Sequence, residues 1–434
     1  MDIATLSGLI LVLGIAILLL LSVPISVAVG LSSAAAAAIA LGYDNAVLTS
    51  AQQMFRGINS FTLLAIPFFV LAGVIMNNGG IALRLINAAK VIVGRAPGSL
   101  AQTNVAANAM FGSVSGSAVA SVAAVGSTMS PLQAKDGYDR SFAAATNIAS
   151  APSGMIIPPS NLMIVYSLIS STSITALFMG GYIPGTLWAL TCMVIVYLYA
   201  RKRPELKITE RVPFKTRVKI VLDAVPSLML IVIVIGGILL GYFTATEASC
   251  IAVLYALALS FIYRAISIRD LKPIFLESAK TTAIVMFLIG VSTVMSWVMS
   301  YAKIPEAVTQ VMFSISSNPY ILLLIIIIVL LIVGAFMDPT PAVLIFGPIL
   351  LPVVTSFGMT PTHFGIFIVM ALSIGTITPP VGPVLFVGAR VANIRIEDVT
   401  RQLIPYFLAL VALLTVVAFV PELSTWLPSL LGLI

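Results

Sequence analysis

Charge is what this 434-residue chain has least of: only 9% of its residues are Asp, Glu, Lys or Arg, against roughly a quarter in an ordinary soluble domain. Together with 60% apolar residues, that excludes a soluble globular fold. Histidine occurs once, as His363, and cysteine twice, as Cys192 and Cys250. The two cysteines lie in separate apolar segments without CxxC or Cys/His spacing, so neither a disulfide framework nor a metal cluster is expected, and both read as packing residues. HExxH and GxSxG are absent, and His363 has no nearby acid partner, which argues against an intramembrane enzyme. His363 is expected to be exposed or interfacial, with a structural role.

What the chain does have is long apolar runs. Ile3 to Leu21, Val225 to Tyr242, Tyr320 to Phe336 and Pro405 to Val420 approach or reach the roughly 20 helical residues that cross a hydrocarbon core. Asp2 stands where a secretory signal would carry basic residues, so the first run reads as a retained helix. The net charge of +7 does not imply nucleic acid, because the basic residues form no stripe with interleaved aromatics. They cluster instead between apolar segments, most densely from Arg201 through Lys207, Arg211, Lys215, Arg217 and Lys219, which makes that loop cytoplasmic by the positive-inside rule.

With the N-terminus outside, spans near 4–22, 24–42 and 60–77 bring Arg84, Lys90 and Arg95 inside. Residues 98–134 are too rich in Gly, Ser and Asn for a clean span and read as a re-entrant hairpin, followed by spans near 141–169 and 177–200. The second half repeats this with spans near 221–241, 247–264 and 275–300, a second hairpin at 320–358, and spans near 363–390 and 404–420. Only Arg56 and Lys303, of 22 Lys plus Arg, then fall outside. Trp188, Trp297 and Trp426 are expected as interfacial anchors.

The chain also resembles itself. At an offset of 221 positions Gly126 falls on Gly347, Pro131 on Pro352, Gly154 on Gly375, and Pro158-Pro159 on Pro379-Pro380. Glycine and proline dictate where helices stop or bend, so their recurrence reflects shared backbone geometry. Five spans precede the second copy, so residues 1–219 and 220–434 are expected to be inverted repeats. Paired, Gly/Pro-interrupted segments in inverted repeats are the sequence pointer to a carrier's binding site near the midplane. A channel is the competing class.

Two kinds of break carry the polar groups. Phe111 to Ser117 and Gly334 to Pro341 separate apolar arms too short to span, which fits helical hairpins with tips at mid-membrane. Ala151 to Ser160 and Gly375 to Gly382 interrupt the span after each hairpin. Unwound backbone in a membrane must meet protein or a cavity, so each tip is expected to face its own half's break. Freed carbonyls there suit a cation, and half-helix N-termini suit an anion. Asp338, the one acid read as lying deep in this arrangement, is a sodium-site candidate by the cost of an intramembrane carboxylate; capping the following helix is the other role open to it. Ser115 and Ser117 offer hydroxyls or close packing. Glu247, after Thr244, reads as a helix cap.

On Met110 to Ser117, Ile156 to Ser160, Thr244 to Glu247, Asp338-Pro339-Thr340 and Ile377 to Pro380, the chain resembles the large membrane subunit of tripartite ATP-independent periplasmic (TRAP) transporters over essentially its whole length. The resemblance implies an all-α polytopic membrane protein of about 10–11 spans, an inverted-repeat elevator with two re-entrant hairpins and two discontinuous helices, in a bacterial inner membrane. It implies sodium-driven import of an anionic solute, with a small four-helix membrane subunit and a periplasmic binding protein as partners. One sodium ion would lie at Ser115, Ser117 and Gly154, another at Asp338, Thr340, Gly375, Thr376 and Thr378. Substrate would meet Ser117, Ser160 and Asn161. The similarity is nearest to the sialic-acid branch, with a C4-dicarboxylate as the alternative cargo.

Overall fold

The computed structural model describes residues 3–94, 96–203, 206 and 213–434. Asp2, Arg95, Lys207 and Arg211 lie outside the described residues. Every regular element among the described residues is a helix, and none is a strand. Among the described residues, eight helices are long and apolar enough to cross a membrane singly. The rest are shorter or broken.

In the first half, α1 (Ile3–Leu20) and α2 (Ile25–Leu41) pack together, and α3 (Tyr43–Ile58) lies against α2 and α14 (Ile268–Tyr301). Sequence reading passed over α3 because it is too polar to register as a span. Asp44 in its first turn and Arg56 in its last complement the helix dipole. After α4 (Ala65–Asn78) and α5 (Ile81–Val93) comes a hairpin of α6 (Ser99–Ser115) and α7 (Ala118–Lys135). A broken helix follows, made of α8 (Arg140–Ser150), α9 (Ser153–Ile156) and α10 (Asn161–Ser170), bent by 44° at its gap. The long α11 (Ile174–Arg201) closes the half.

The second half runs through α12 (Phe214–Leu239), α13 (Ala245–Ile262), α14 and α15 (Ile304–Ile315). A second hairpin, α16 (Pro319–Phe336) with α17 (Pro339–Ser356), leads to a second broken helix, α18 (Pro361–Gly375) with α19 (Pro383–Ala392). Then come α20 (Ile396–Phe419) and α21 (Glu422–Leu430). The helices stop at Ser115 and Phe336 at the two hairpin turns, and at Ile156 and Gly375 at the two interruptions. The Pro158–Pro159 and Pro379–Pro380 bonds are both cis.

Burial explains why the broken helices sit at the centre. Every residue of α18 from Thr362 to Gly375 is buried, as is α8 from Phe142 to Ser150. Leu222 and Val232 of α12, and Ile321, Ile328 and Ile332 of α16, are instead exposed apolar side chains suited to lipid. The first unwound segment thus meets protein rather than hydrocarbon, whereas in the second Thr376 and Ile377 are buried and Pro379, Pro380 and Val381 are exposed. Thr244 and Glu247 form the expected cap: the Glu247 carboxylate accepts from the Thr244 N–H at 2.8 Å, and the Thr244 hydroxyl accepts from the Glu247 N–H at 3.3 Å.

Two polar-tipped side chains, Trp188 and His363, sit differently from the sequence reading, while Cys192 packs as expected. Trp188 is fully buried, its indole N–H donating to the Ala149 carbonyl at 2.9 Å, so it anchors α11 to α8 instead of sitting at an interface. Cys192 packs one turn further along α11, its thiol 3.7 Å from the same carbonyl. His363 is 1% exposed, with its ring nitrogens on the Ser424 hydroxyl and the Ala418 carbonyl. Its role is structural, but it ties α18 to the C-terminal helices from inside.

Candidate functional site

The two hairpins turn by different chemistry. In the first, Gly116 adopts φ +62°, a left-handed conformation that glycine takes without a Cβ penalty, and the Ser117 hydroxyl then caps α7 by accepting from the Ala120 N–H at 3.3 Å. The second has no glycine at its apex. Asp338 is extended and caps α17, its Oδ1 accepting from the Thr340 N–H at 3.0 Å, while Pro339 occupies the first helical position, where a missing N–H costs nothing.

Each tip meets its own break, backbone to backbone. A Cβ added to Gly154 would lie 2.2 Å from the Gly112 Cα, and one added to Gly375 would lie 2.3 Å from the Gly334 Cα. Only glycine lets two main chains approach so closely. In the second half the Val381 N–H also donates to the Ala335 carbonyl at 3.2 Å, joining break to hairpin directly. The Met155 sulfur lies 3.9 Å from the Ser373 hydroxyl, so the two breaks are themselves neighbours.

Beneath the first crossing lies a buried amide network. The Asn108 side-chain nitrogen sits 2.9 Å from the Asn104 and Asn147 side-chain oxygens and 2.8 Å from the Ser150 hydroxyl. Asn147 in turn donates to the Val122 carbonyl at 2.8 Å, so one residue of α8 holds both arms of the hairpin. Asn147→Ala leaves buried partners unsatisfied and is expected to destabilise the protein by roughly 2–3 kcal/mol, read as a lower thermal midpoint of the purified protein; an unchanged midpoint contradicts this tethering role.

Between the tips opens a cavity of about 770 Å³. The hairpins and breaks line it with Ser115, Ser117, Asn161, Asp338, Thr340 and Thr376, and α2, α4 and α14 contribute further residues, among them Asn77, Glu277 and Thr281. Four half-helices begin on it: α7 at Ser117-Ala118, α10 at Asn161, α17 at Asp338-Pro339 and α19 at Pro383. Each contributes the positive end of a helix dipole. Among the described residues the lining contains no Lys, Arg or His.

Most of the expected site residues converge here, though not all on the cavity. Gly154 and Gly375 lie at the glycine crossings. Thr378 lies in the second break, its hydroxyl donating to the Ile374 carbonyl at 2.8 Å. Ser160 is fully buried and is not among the residues lining the cavity: its hydroxyl donates to the Met155 carbonyl and accepts from the Met163 N–H at 3.4 Å, making it the cap of α10. Glu277 and Thr281 escaped notice because α14 reads as an ordinary span with a basic start. Their spacing of four on one helical face was the available signal.

Paired hairpins and broken helices around a shared polar cavity define a membrane carrier. In line with this, residues 12–423 match the model of the DctM component of the tripartite ATP-independent periplasmic transporters, and the chain belongs to that family. It is therefore a multi-pass inner-membrane permease subunit rather than an enzyme. It is 51% identical to the uncharacterized protein YgiK of Salmonella typhimurium over 90% of either chain. It is 37% identical to the sialic acid TRAP transporter large permease protein SiaM of Vibrio cholerae, over 88% of this chain and 89% of that one. Identity to the C4-dicarboxylate large permease protein DctM of Pseudomonas aeruginosa is also 37%, over 90% and 91%. The fold is like that of the YdaH transporter of Alcanivorax borkumensis, with TM-score 0.59 at 13% identity, over 87% of this chain and 88% of that one.

Proposed function

We propose that this chain is the translocating subunit of a sodium-driven importer of a small organic anion, with sialic acid the expected cargo. A periplasmic binding protein delivers the anion, and a small helical membrane subunit completes the complex. The observation that carries the reading is the convergence of four half-helix N-termini on a cavity with no basic side chain. Such termini attract an anion at neutral charge cost.

The halves contribute unequally. The second-half termini begin with proline, and the Thr340, Val384 and Leu385 N–H groups bond to Asp338 and to the Thr376 carbonyl. The first-half termini start on Ser117-Ala118 and Ser160-Asn161 without proline. The carboxylate of the cargo therefore sits at Ser117 and Asn161, and sodium sits between each tip and break: one ion by Ser115, Ser117 and Gly154, the other by Asp338, Thr340, Gly375, Thr376 and Thr378. Hard cations take oxygen ligands, and these segments supply hydroxyl, carboxylate and helix-C-terminal carbonyl oxygens.

All of these groups belong to the hairpins and broken helices. The hairpins and broken helices of the two inverted repeats, residues 1–219 and 220–434, accordingly form one module that moves past the remaining helices as an elevator, with bound ions and cargo biasing its two positions. The cavity also reaches Pro24 to Ser26 and Asn77, at the ends of spans that the charge pattern places inside, which supports an inward-open state. A C4-dicarboxylate is the second reading, since the P. aeruginosa relative named for that cargo is as similar as the one named for sialic acid. Labelled sialic acid is expected to accumulate in proteoliposomes only with an inward sodium gradient and binding protein. Sodium-independent downhill flux would sink the coupled reading and leave a channel.

A further inference from the structure

One carboxylate in the cavity plays no part in this scheme. Glu277, an exposed residue of α14, lines the cavity together with residues of both hairpin tips, and its carboxylate makes no hydrogen bond or ion pair among the described residues. Its neighbourhood is the cytoplasmic end of α14, marked by Arg264, Arg269, Lys272 and Lys280, and the cavity lining there includes Ser26 and Asn77. Lys280 lies one turn from Glu277 but neither pairs with it nor lines the cavity. A carboxylate with no ion-pair partner among the described residues thus lies on an anion's path to the cytoplasm, on a helix outside the module that holds the cargo.

Resting on the proposed transport function, we propose that Glu277 is a release residue, which lowers the affinity of the inward-facing site for anionic cargo and leaves the outward-facing affinity unchanged. The physical basis is repulsion across a cavity bounded by low-dielectric walls, where charges interact more strongly than in open water. Repulsion grows with the charge of the cargo, so a dianion is expelled more strongly than a monoanion. Packing effects carry no such scaling.

The test uses the complete membrane complex in proteoliposomes, with external binding protein selecting molecules whose cytoplasmic side faces the lumen. Sodium-driven uptake of labelled N-acetylneuraminate or succinate is measured against increasing unlabelled cargo in the lumen. For Glu277→Gln, half-inhibition is expected at roughly fivefold lower lumenal N-acetylneuraminate, with a larger shift for succinate. The external KM stays within about twofold of the unsubstituted value, and Glu277→Asp behaves as the unsubstituted protein. An unchanged lumenal constant, equal shifts on both sides, or equal shifts for the two cargoes overturns the release role while sodium-driven uptake persists. Loss of sodium-driven uptake for both probes in the unsubstituted protein overturns the transport reading itself.

Discussion

Gly154→Ala and Gly375→Ala are each expected to reduce sodium-driven uptake at least tenfold, with the protein still inserted in the membrane. At Gly154 the new methyl would lie 2.2 Å from the Gly112 Cα and 2.4 Å from its carbonyl carbon; at Gly375 it would lie 2.3 Å from the corresponding atoms of Gly334. The obstacle in both cases is main chain, which cannot rotate away as a side chain can. Overpacking of this kind costs about 1–3 kcal/mol, and every 1.4 kcal/mol is tenfold in an equilibrium. The strain is relieved only by drawing the tip away from its break, which opens the space assigned to sodium. Gly236→Ala is the control: a Cβ there meets nothing within 4 Å. Uptake rates, normalised to protein recovered as a single gel-filtration peak, check the expectation. Near-normal transport by either crossing variant would show that tip and break need not touch.

Asp338→Asn is the second large effect. Asparagine caps helices about as well as aspartate, so the Thr340 contact at 3.0 Å survives and the hairpin remains folded. What disappears is the negative charge, and with it charge-assisted attraction worth roughly tenfold or more in cation affinity. The sodium concentration for half-maximal uptake is therefore expected to rise about tenfold, with little change in the thermal midpoint without sodium. An unmoved sodium dependence would remove Asp338 from the ion site and leave it as a cap alone. Asp338→Ala, which loses cap and charge together, is expected to lower the thermal midpoint as well.

Much of this architecture was legible because membrane constraints are severe. Breaks such as Gly116, Pro339 and the two double prolines are visible in one dimension, since few residues tolerate left-handed or helix-ending backbone. The clusters at Ser115 to Ser117 and Asp338 to Thr340 stood out against apolar surroundings for the same reason. Elements without such a contrast were missed: α3 and α15 are short and amphipathic, and a hydropathy pattern tuned to full spans passes over them. Ser160 was expected to face substrate because hydroxyls beside a helix break look available. Its bond to the Met155 carbonyl depends on the path of the break and has no local sequence signature. Trp188 and His363 show the same limit, since polar-tipped side chains in an apolar protein serve either an interface or a buried carbonyl.

The sequence by itself determined the membrane as solvent, the two hairpins, the two broken helices and the repeated glycine register, because each follows from local backbone rules and the burial cost of polar groups. Tertiary structure alone decided which glycines cross, that Asn147 ties both arms of the first hairpin to its broken helix, and that Glu277 shares a cavity with Asp338. Those facts depend on distances between segments far apart in the chain, and no local preference encodes how close two helices come.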